Sequence, residues 1–157
     1  MSFDVFLQRF ANGKDASVDR ESVQAVLQTR QFTGPDEFGF YNVEFSDGTH
    51  VEFSAKRLSG PGDFIGCAFH IRGMSSELVS FVWEIARAGD MVILPAMENF
   101  VPILVSAEQK NQLPLDLLQN QPEPVVCASA AELEVLLTNG YTGWRKYRDQ
   151  VVGAPPG

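Results

Sequence analysis

The 157-residue sequence predicts an α+β domain in which a mainly antiparallel sheet carries two principal helices. Several short segments alternate apolar and polar residues with period two, which is typical of strands. An Asp-Gly pair at 47–48 joins two such segments as a hairpin, for which a parallel, doubly wound sheet has no place. We assign residues 1–152 to one domain and 153–157 to a disordered tail. A ferredoxin-like core with C-terminal additions is one way to connect the elements.

The chain begins with a strand and a short helix. Residues 3–10 alternate in hydrophobicity and predict the strand. A turn at 11–15 follows, and Ser17 is a suitable N-cap for a helix over 18–28. The Thr-Gly-Pro-Asp sequence at 33–36 then breaks the chain.

Side-chain parity sets the register of the hairpin. A two-residue loop would place Val43 opposite a glutamate and would mix apolar and polar side chains on both faces. A three-residue loop, 46–48, instead pairs Val43 with Val51 and Glu44 with His50. The glycine of this loop then takes the left-handed conformation, which costs glycine little.

A strand over 64–72 leads to the most apolar helix of the chain. This helix is capped by Ser75 or Ser76, runs to about Ala88 and has Gly89 as its stop. Its polar positions form one narrow stripe, so we expect it to be buried on most sides or to pack against another subunit.

The next elements are two strands and a short helix. The strands cover 90–94 and 100–105, and Pro102 marks the second as an edge strand or a bulged strand. The sequence at 106–109 fits a capping box, which predicts a helix that ends by Pro114.

The C-terminal part alternates loop, strand and helix. Residues 113–124 resemble a loop, and 125–128 predict a short strand. A second capping box opens a helix over 129–138, which Gly140 ends, and a last helix covers 144–151.

Composition excludes several classes of function. There are 12 Lys and Arg residues against 20 Asp and Glu, a net charge of −8, which argues against nucleic-acid binding. An acidic surface suits a basic protein partner, and it equally suits plain solubility, which is the commoner reason. No apolar run approaches the roughly 18 residues that cross a bilayer. Cys67 and Cys127 are far apart, and no export signal is visible, so we expect reduced thiols in a cytoplasmic protein.

The two histidines are the first candidates for chemistry. If their strands are neighbours, His50, His70 and Glu44 could converge to bind a metal or act as acid and base. No metal-binding histidine spacing is present, which favours two surface imidazoles, one of them paired with Glu44. Cys67 and His70 point to opposite faces of one strand, so they do not form a nucleophile–base pair. We assign no catalytic residue, metal or cofactor.

Aromatic residues are the second candidates. The chain has twelve phenylalanines, and three of them lie at positions that alternation assigns to the polar face of a strand, or at strand ends: Phe38, Phe40 and Phe64. An exposed aromatic patch marks a binding surface, whereas a second helix layer would cover the same residues. The candidate binding set comprises these three together with the polar residues Glu44, His50 and His70.

The first eight residues, Met-Ser-Phe-Asp-Val-Phe-Leu-Gln, resemble the start of several small bacterial proteins of unknown function. Some of those proteins resemble immunity proteins of polymorphic toxin systems. The resemblance carries over no functional residue. It implies a cytoplasmic protein that binds and blocks a toxin.

Three functions remain open at this point. The first is a non-enzymatic protein-binding module, immunity-like, that blocks a basic partner. The second is a small enzyme that uses the sheet face of His50 and His70. The third is a structural homodimer joined through the apolar helix or an edge strand.

Overall fold

A computed structural model of the protein describes residues 2–97 and 100–148. Short strands dominate the first half of this part, and helices dominate its end. In chain order the elements are β1 (Phe3–Gln8), β2 (Phe10–Ala11), β3 (Lys14–Asp15), α1 (Arg20–Leu27), β4 (Gln31–Thr33), β5 (Phe40–Glu44), β6 (His50–Ser54), β7 (Gly66–Ile71), α2 (Ser76–Gly89), β8 (Val92–Pro95), β9 (Ile103–Leu104), a 3-10 helix (Ala107–Gln112), α3 (Leu115–Asn120), β10 (Val125–Val126) and α4 (Ala130–Arg148).

The described strands form one eight-stranded sheet and a separate small hairpin of β2 and β3. The order across the large sheet is β10-β9-β8-β1-β7-β6-β5-β4. Among these strands β9 and β10 alone run parallel, which confirms the mainly antiparallel sheet with helices. The ferredoxin-like core stays a prediction, because several additional strands surround the elements that it would use.

Helices α1, α2 and α4 cover one face of the sheet, and α2 lies between the other two. Ser75 caps α2 by accepting a hydrogen bond from the Leu78 N–H at 3.2 Å. The ring of Phe81 projects from α2 edge-on to Phe69 and Phe53, which stack on each other with centroids 4.9 Å apart. Each fully buried phenylalanine of this kind contributes roughly 1.5–3 kcal/mol. The burial predicted for this helix is confirmed.

A second, smaller core lies on the opposite face of the sheet, at the β8–β9 end. Its buried residues are Phe10, Val92, Leu104 and Leu113, which the 3-10 helix and the start of α3 cover. Along the other strands this opposite face carries no helix among the described residues.

The predicted register of the hairpin is confirmed. Val43 lies opposite Val51, and Glu44 lies opposite His50. The turn is closed by a hydrogen bond from the Gly48 N–H to the carbonyl oxygen of Phe45 at 3.1 Å. Gly48 has φ +90°, as the three-residue loop requires.

The boundaries of α1 differ from the prediction. Asp19 caps this helix, not Ser17, because its Oδ1 accepts a hydrogen bond from the Glu21 N–H at 3.2 Å. Residues before Asp19 remain extended, and the Val18 N–H donates to the Phe64 carbonyl at 2.7 Å. The strand β4 was also absent from the prediction, since it has three exposed residues and no apolar pattern.

The end of α2 also corrects the prediction. Gly89 is the last helical residue, and Asp90 takes the left-handed conformation with φ +53°. Gly89 is needed for packing, because a Cβ there would lie 2.9 Å from Cγ1 of Val18 and 2.7 Å from Cε of Met91.

The prediction of an edge or bulged strand at Pro102 is wrong. Pro102 precedes β9, which lies between β8 and β10, so its missing N–H breaks no bond of the ladder. Its carbonyl oxygen accepts a hydrogen bond from the Val125 N–H at 3.0 Å. The capping box predicted at 106–109 does not form: the helix that begins there is a 3-10 helix, and its N-cap residue makes no side-chain hydrogen bond. The helix α3 forms in the segment that was predicted as a loop.

Gly140 lies inside α4, so the prediction that it ends a helix is wrong. A Cβ there would make ordinary contacts, 3.5 Å from Cζ of Phe3 and 3.4 Å from Sδ of Met97, so the packing does not require a glycine at this position. The two helices predicted for this part are therefore one. The predicted helix end at 149–151 and the predicted tail at 153–157 lie outside the described residues.

No helix within residues 2–97 and 100–148 combines the length and the apolar character that a membrane crossing requires.

Candidate functional site

The candidate site is the sheet face opposite α1, α2 and α4, along β4, β5, β6, β7 and β1, which we call the open face. Alternation along each strand sends one set of side chains into the main core and the other set to the open face. The side chains on the open face are Asp4, Phe6, Gln31, Thr33, Phe40, Asn42, Glu44, His50, Glu52, Ser54, Ala68 and His70.

Phe38 projects beside the open face from the loop that precedes β5. Its side chain is 63% exposed. Asp36 braces the loop, because its Oδ1 accepts hydrogen bonds from the N–H groups of Phe38 and Phe40, both at 2.9 Å. Gly39 has φ +81°, and a Cβ there would lie 2.4 Å from Cα of Lys56. The loop therefore holds Phe38 exposed at a defined position.

Phe40 and Phe64 have different environments. Phe40 is half-buried on the open face, with its ring centroid 5.7 Å from that of His70. Phe64 is 2% exposed and belongs to the main core, so the expectation that it lies on a binding surface is wrong. The reason is that β7 begins only at Gly66, so strand parity does not apply to Phe64.

Asp4 fixes the orientation of the His70 imidazole. Asp4 Oδ1 lies 2.8 Å from His70 Nδ1, and it also accepts a hydrogen bond from the Ser2 hydroxyl at 2.6 Å. The other ring nitrogen, Nε2, is buried and has no hydrogen-bond partner among the described residues. Since the protein covers Nε2, the pair holds a ring in place and offers no open nitrogen for proton transfer.

The two histidines do not converge on one ligand position. His70 lies opposite Glu52, whereas the exposed His50 lies opposite Glu44 on the next strand pair. Glu52 accepts a hydrogen bond from Arg72 Nη1 at 3.1 Å. In the part of the chain that the structure describes, no three His, Cys, Asp or Glu side chains form a group that could hold a metal ion.

The thiols lie apart from the open face. Cys67 points into the main core, on the opposite side of β7 from His70, as predicted. Burial raises the pKa of the Cys67 thiol. Burial, and then the carboxylate of Glu132, raise the pKa of Cys127. Neither cysteine is therefore a ready nucleophile, since the thiolate is the reactive form.

The open face carries two depressions. The first, which we call the polar hollow, has a volume of about 760 Å³, and Asp36, Phe38, Phe40, Asn42, His50 and Glu52 line it. The second, which we call the apolar groove, has a volume of about 620 Å³, and Phe6, Gly66, Ala68 and Leu94 contribute to its lining. The hollow combines aromatic rings with carboxylates, whereas the groove is bounded mainly by carbon.

Carboxylates outnumber cations on the open face and the loop beside it. The carboxylates are those of Asp4, Asp36, Glu44 and Glu52, and the cations are those of Arg72 and Lys56. Among the described residues the Glu44 side chain has no hydrogen-bond or ion-pair partner. The open face is thus acidic and keeps at least one uncompensated carboxylate.

Sequence reasoning missed Phe6 and Asp4 as residues of this face. Phe6 is 45% exposed and lies on the polar parity of β1. The signal that could identify Phe6 is a phenylalanine at a position that alternation assigns to the polar face of a strand. Asp4 carried no such signal, because its role depends on the pairing of β1 with β7.

Comparison of the chain with protein-family models, with curated proteins and with solved structures finds no significant match.

Proposed function

We propose that the protein is a non-enzymatic binding module that uses the open face to bind and block a basic protein partner. The observation that carries the proposal is the polar hollow, where the exposed Phe38 stands beside the carboxylates of Asp36 and Glu52. A cytoplasmic, immunity-like role, in which the partner is a basic toxin, is the specific form of this proposal.

Phe38 has the properties of a binding anchor. It is the most exposed phenylalanine among the described residues, although the loop around it is held by Asp36. The exposed ring of Phe38 contributes little to the core. Because the loop already holds it in place, the ring loses little conformational entropy when a partner covers it. Buried aromatic anchors of this kind dominate the binding energy of many interfaces.

The chemistry of the hollow indicates the class of partner. An arginine or lysine side chain that enters it would meet the carboxylate of Glu52 and the faces of Phe38 and Phe40. Cation–π contacts and charge-assisted hydrogen bonds both favour such a cation. The net charge of −8 would also steer a basic partner toward the protein at low salt.

Site-specific crosslinking tests the proposal. A photoreactive phenylalanine analogue is placed at position 38, and at position 135 in a matched control, because Val135 on α4 is 62% exposed and lies away from the open face. Both proteins are irradiated in native lysate, and the adducts are identified by mass spectrometry. We expect a basic protein to be crosslinked from position 38 and not from position 135. Equal labelling from both positions, or an acidic adduct, would contradict the proposal.

A further inference from the structure

We infer that the basic partner adds one extended strand to the free edge of β4, antiparallel to it. The inference rests on the proposed function, because it takes the partner to be a basic protein. It adds the backbone conformation of the bound segment, the edge of the sheet that receives it and the order of its side chains.

The strand β4 is one of the two edges of the large sheet, and it is the less protected one. Proteins protect sheet edges with charged residues, with prolines or by keeping the edge strand short. The three residues of β4 are all exposed, and none of them is charged or a proline, so short length is the only one of these devices that it has. The other edge, β10, is preceded directly by Pro124, which offers no N–H to a further strand.

The backbone of Phe32 forms the free edge. The Phe45 N–H donates a hydrogen bond to the Thr49 carbonyl at 2.9 Å, so the backbone groups of Phe45 point toward the β6 side of the hairpin. Because these groups alternate in direction along a strand, those of Glu44 point toward β4, and those of Gln31, opposite Glu44, point back toward β5. Phe32 is the next residue of β4. Its N–H and C=O therefore point away from the sheet, where no described strand follows.

An added strand would alternate its side chains in step with β4. A residue opposite Phe32 would lie on the helix-covered face, beside a ring that is 36% exposed and packs edge-on to Tyr41. We expect this residue to be apolar. The residues opposite Gln31 and Thr33 would lie on the open face, because directly opposed side chains share a face of the sheet.

The carboxylate of Glu44 favours a cation opposite Gln31. Glu44 lies opposite Gln31 on the other side of β4 and has no hydrogen-bond or ion-pair partner among the described residues. Its Cα would be about 10 Å from that of the added residue, a gap that a lysine and a glutamate side chain span together. Arg30, the cation directly before β4, is already paired with Glu84 at 2.6 Å.

Thr33 joins this edge to the polar hollow. Thr33 and Gly34 line the hollow together with Phe38 and Asp36. A cation opposite Thr33 would therefore enter the hollow from its outer side. The bound strand thus has the order cation, apolar residue, cation. Its main chain supplies hydrogen bonds to the edge, and its alternate side chains supply the specificity.

Three capped peptides of seven residues, with lysine and valine in alternation, serve as probes. The first is unmodified, the second carries a backbone N-methyl group on each valine, and the third carries one on each lysine. All three have the same charge and the same side chains. We expect methylation of the valines to weaken binding by about tenfold or more, because the valine opposite Phe32 must donate its N–H, and methylation of the lysines to have little effect. Fluorescence anisotropy measures the affinities.

Hydrogen exchange of the wild-type protein locates the bound peptide. We expect the Phe32 amide to exchange at least about tenfold more slowly when the unmodified peptide is bound. Val126 on β10 is the internal control. Its neighbours Val125 and Cys127 donate their N–H groups to β9, so the Val126 N–H also points outward, and its exchange should not change.

A proline at position 32 removes the outward N–H without removing a hydrogen bond from the sheet, and an edge strand tolerates proline at such a position. Phe32→Val is the matched control, since it loses the same ring and keeps the N–H. We expect the unmodified peptide to bind Phe32→Pro about tenfold or more weakly than Phe32→Val. The exchange of Phe32 in the wild type decides the question even if Phe32→Pro fails to fold.

The inference is overturned if the unmodified peptide does not bind at millimolar concentration, if both methylated peptides bind equally well, or if the exchange of Phe32 does not change. These failures are distinguishable from failure of the proposed function. Crosslinking from position 38 to a basic protein does not depend on strand addition, so a crosslink without protection of Phe32 would contradict this inference alone.

Discussion

The Oδ1 atom of Asp36 accepts a hydrogen bond from the backbone N–H of Phe38 at 2.9 Å. The same oxygen also accepts from the N–H of Phe40 at 2.9 Å, so one carboxylate organises the loop that presents the most exposed phenylalanine of the described chain. This bracing makes Phe38 a preorganised contact rather than a loose surface residue.

Replacement of Asp36 tests the bracing. Asp36→Ala removes the acceptor for two N–H groups, so we expect the amides of Phe38 and Phe40 to exchange about tenfold faster, as the loss of about 1.4 kcal/mol implies. Asp36→Asn keeps an acceptor oxygen and should retain most of the protection. Hydrogen exchange followed by NMR measures both. Equal exchange in the wild type and Asp36→Ala would show that the carboxylate does not hold the loop.

Gly48 tests the register of the hairpin. Its φ is +90° and nothing lies within 4 Å of a Cβ placed there, so the cost of a side chain comes from backbone strain alone. We expect Gly48→Asn to destabilise by less than about 1 kcal/mol and Gly48→Val by about 2 kcal/mol, because a β-branched residue is a genuine outlier at positive φ. Urea unfolding measures the difference. An equal loss of stability in both variants would contradict the left-handed turn.

Two helical glycines should respond in opposite ways to the same change. At Gly140 a Cβ makes ordinary contacts with Phe3 and Met97, so Gly140→Ala should stabilise by up to about 1 kcal/mol through helix propensity. At Gly89 a Cβ would lie 2.9 Å from Val18, so Gly89→Ala should destabilise by about 1–3 kcal/mol. Thermal and urea unfolding of the pair provide the comparison. Changes in stability of the same sign in both variants would contradict the packing described around one of the two glycines.

The acid dependence of stability should include a contribution from Asp47. Hydrogen bonds from the side chain and then the backbone N–H of Thr49 hold the pKa of Asp47 below its ordinary value of 3.8. A carboxyl with a lowered folded pKa adds stability that is present above its unfolded pKa and is lost as pH falls through the folded value. As the pH falls below 5, the free energy of unfolding should therefore decline less in Asp47→Asn than in the wild type. Identical pH profiles would exclude this contribution.

Local patterns in the sequence predict the antiparallel class, the hairpin register and the burial of α2, because each depends on neighbouring residues or on parity. The pairing of Glu44 with His50 follows from parity alone. The predicted placement of Phe64 is wrong because this residue lies two positions before the first residue of β7, where strand alternation does not apply, and the start of β7 depends on its pairing with β1. The prediction that Gly140 ends a helix is wrong because glycine is a common stop signal in a sequence, whereas α4 continues through it.

The site could be predicted only in part for a related reason. Phe38 and Phe40 were identified from their positions at the start of a strand. The hollow and the groove, in contrast, depend on which strands are neighbours, and strand order is a long-range property. Asp4 meets His70 across a sequence separation of 66 residues, and Phe6 faces Ala68 across the same pair of strands. No local pattern carries that information.

The affinity of the crosslinked partner for Phe38→Ala tests the central claim most directly. Once the partner is purified, its dissociation constant is measured for the wild type, Phe38→Ala and the matched Val135→Ala, at low and at moderate salt. We predict that Phe38→Ala weakens binding by at least about 2 kcal/mol, roughly thirtyfold, while Val135→Ala has no effect and added salt weakens binding to the wild type. Equal affinities for the wild type and Phe38→Ala, without any dependence on salt, would contradict the claim that the open face binds a basic protein.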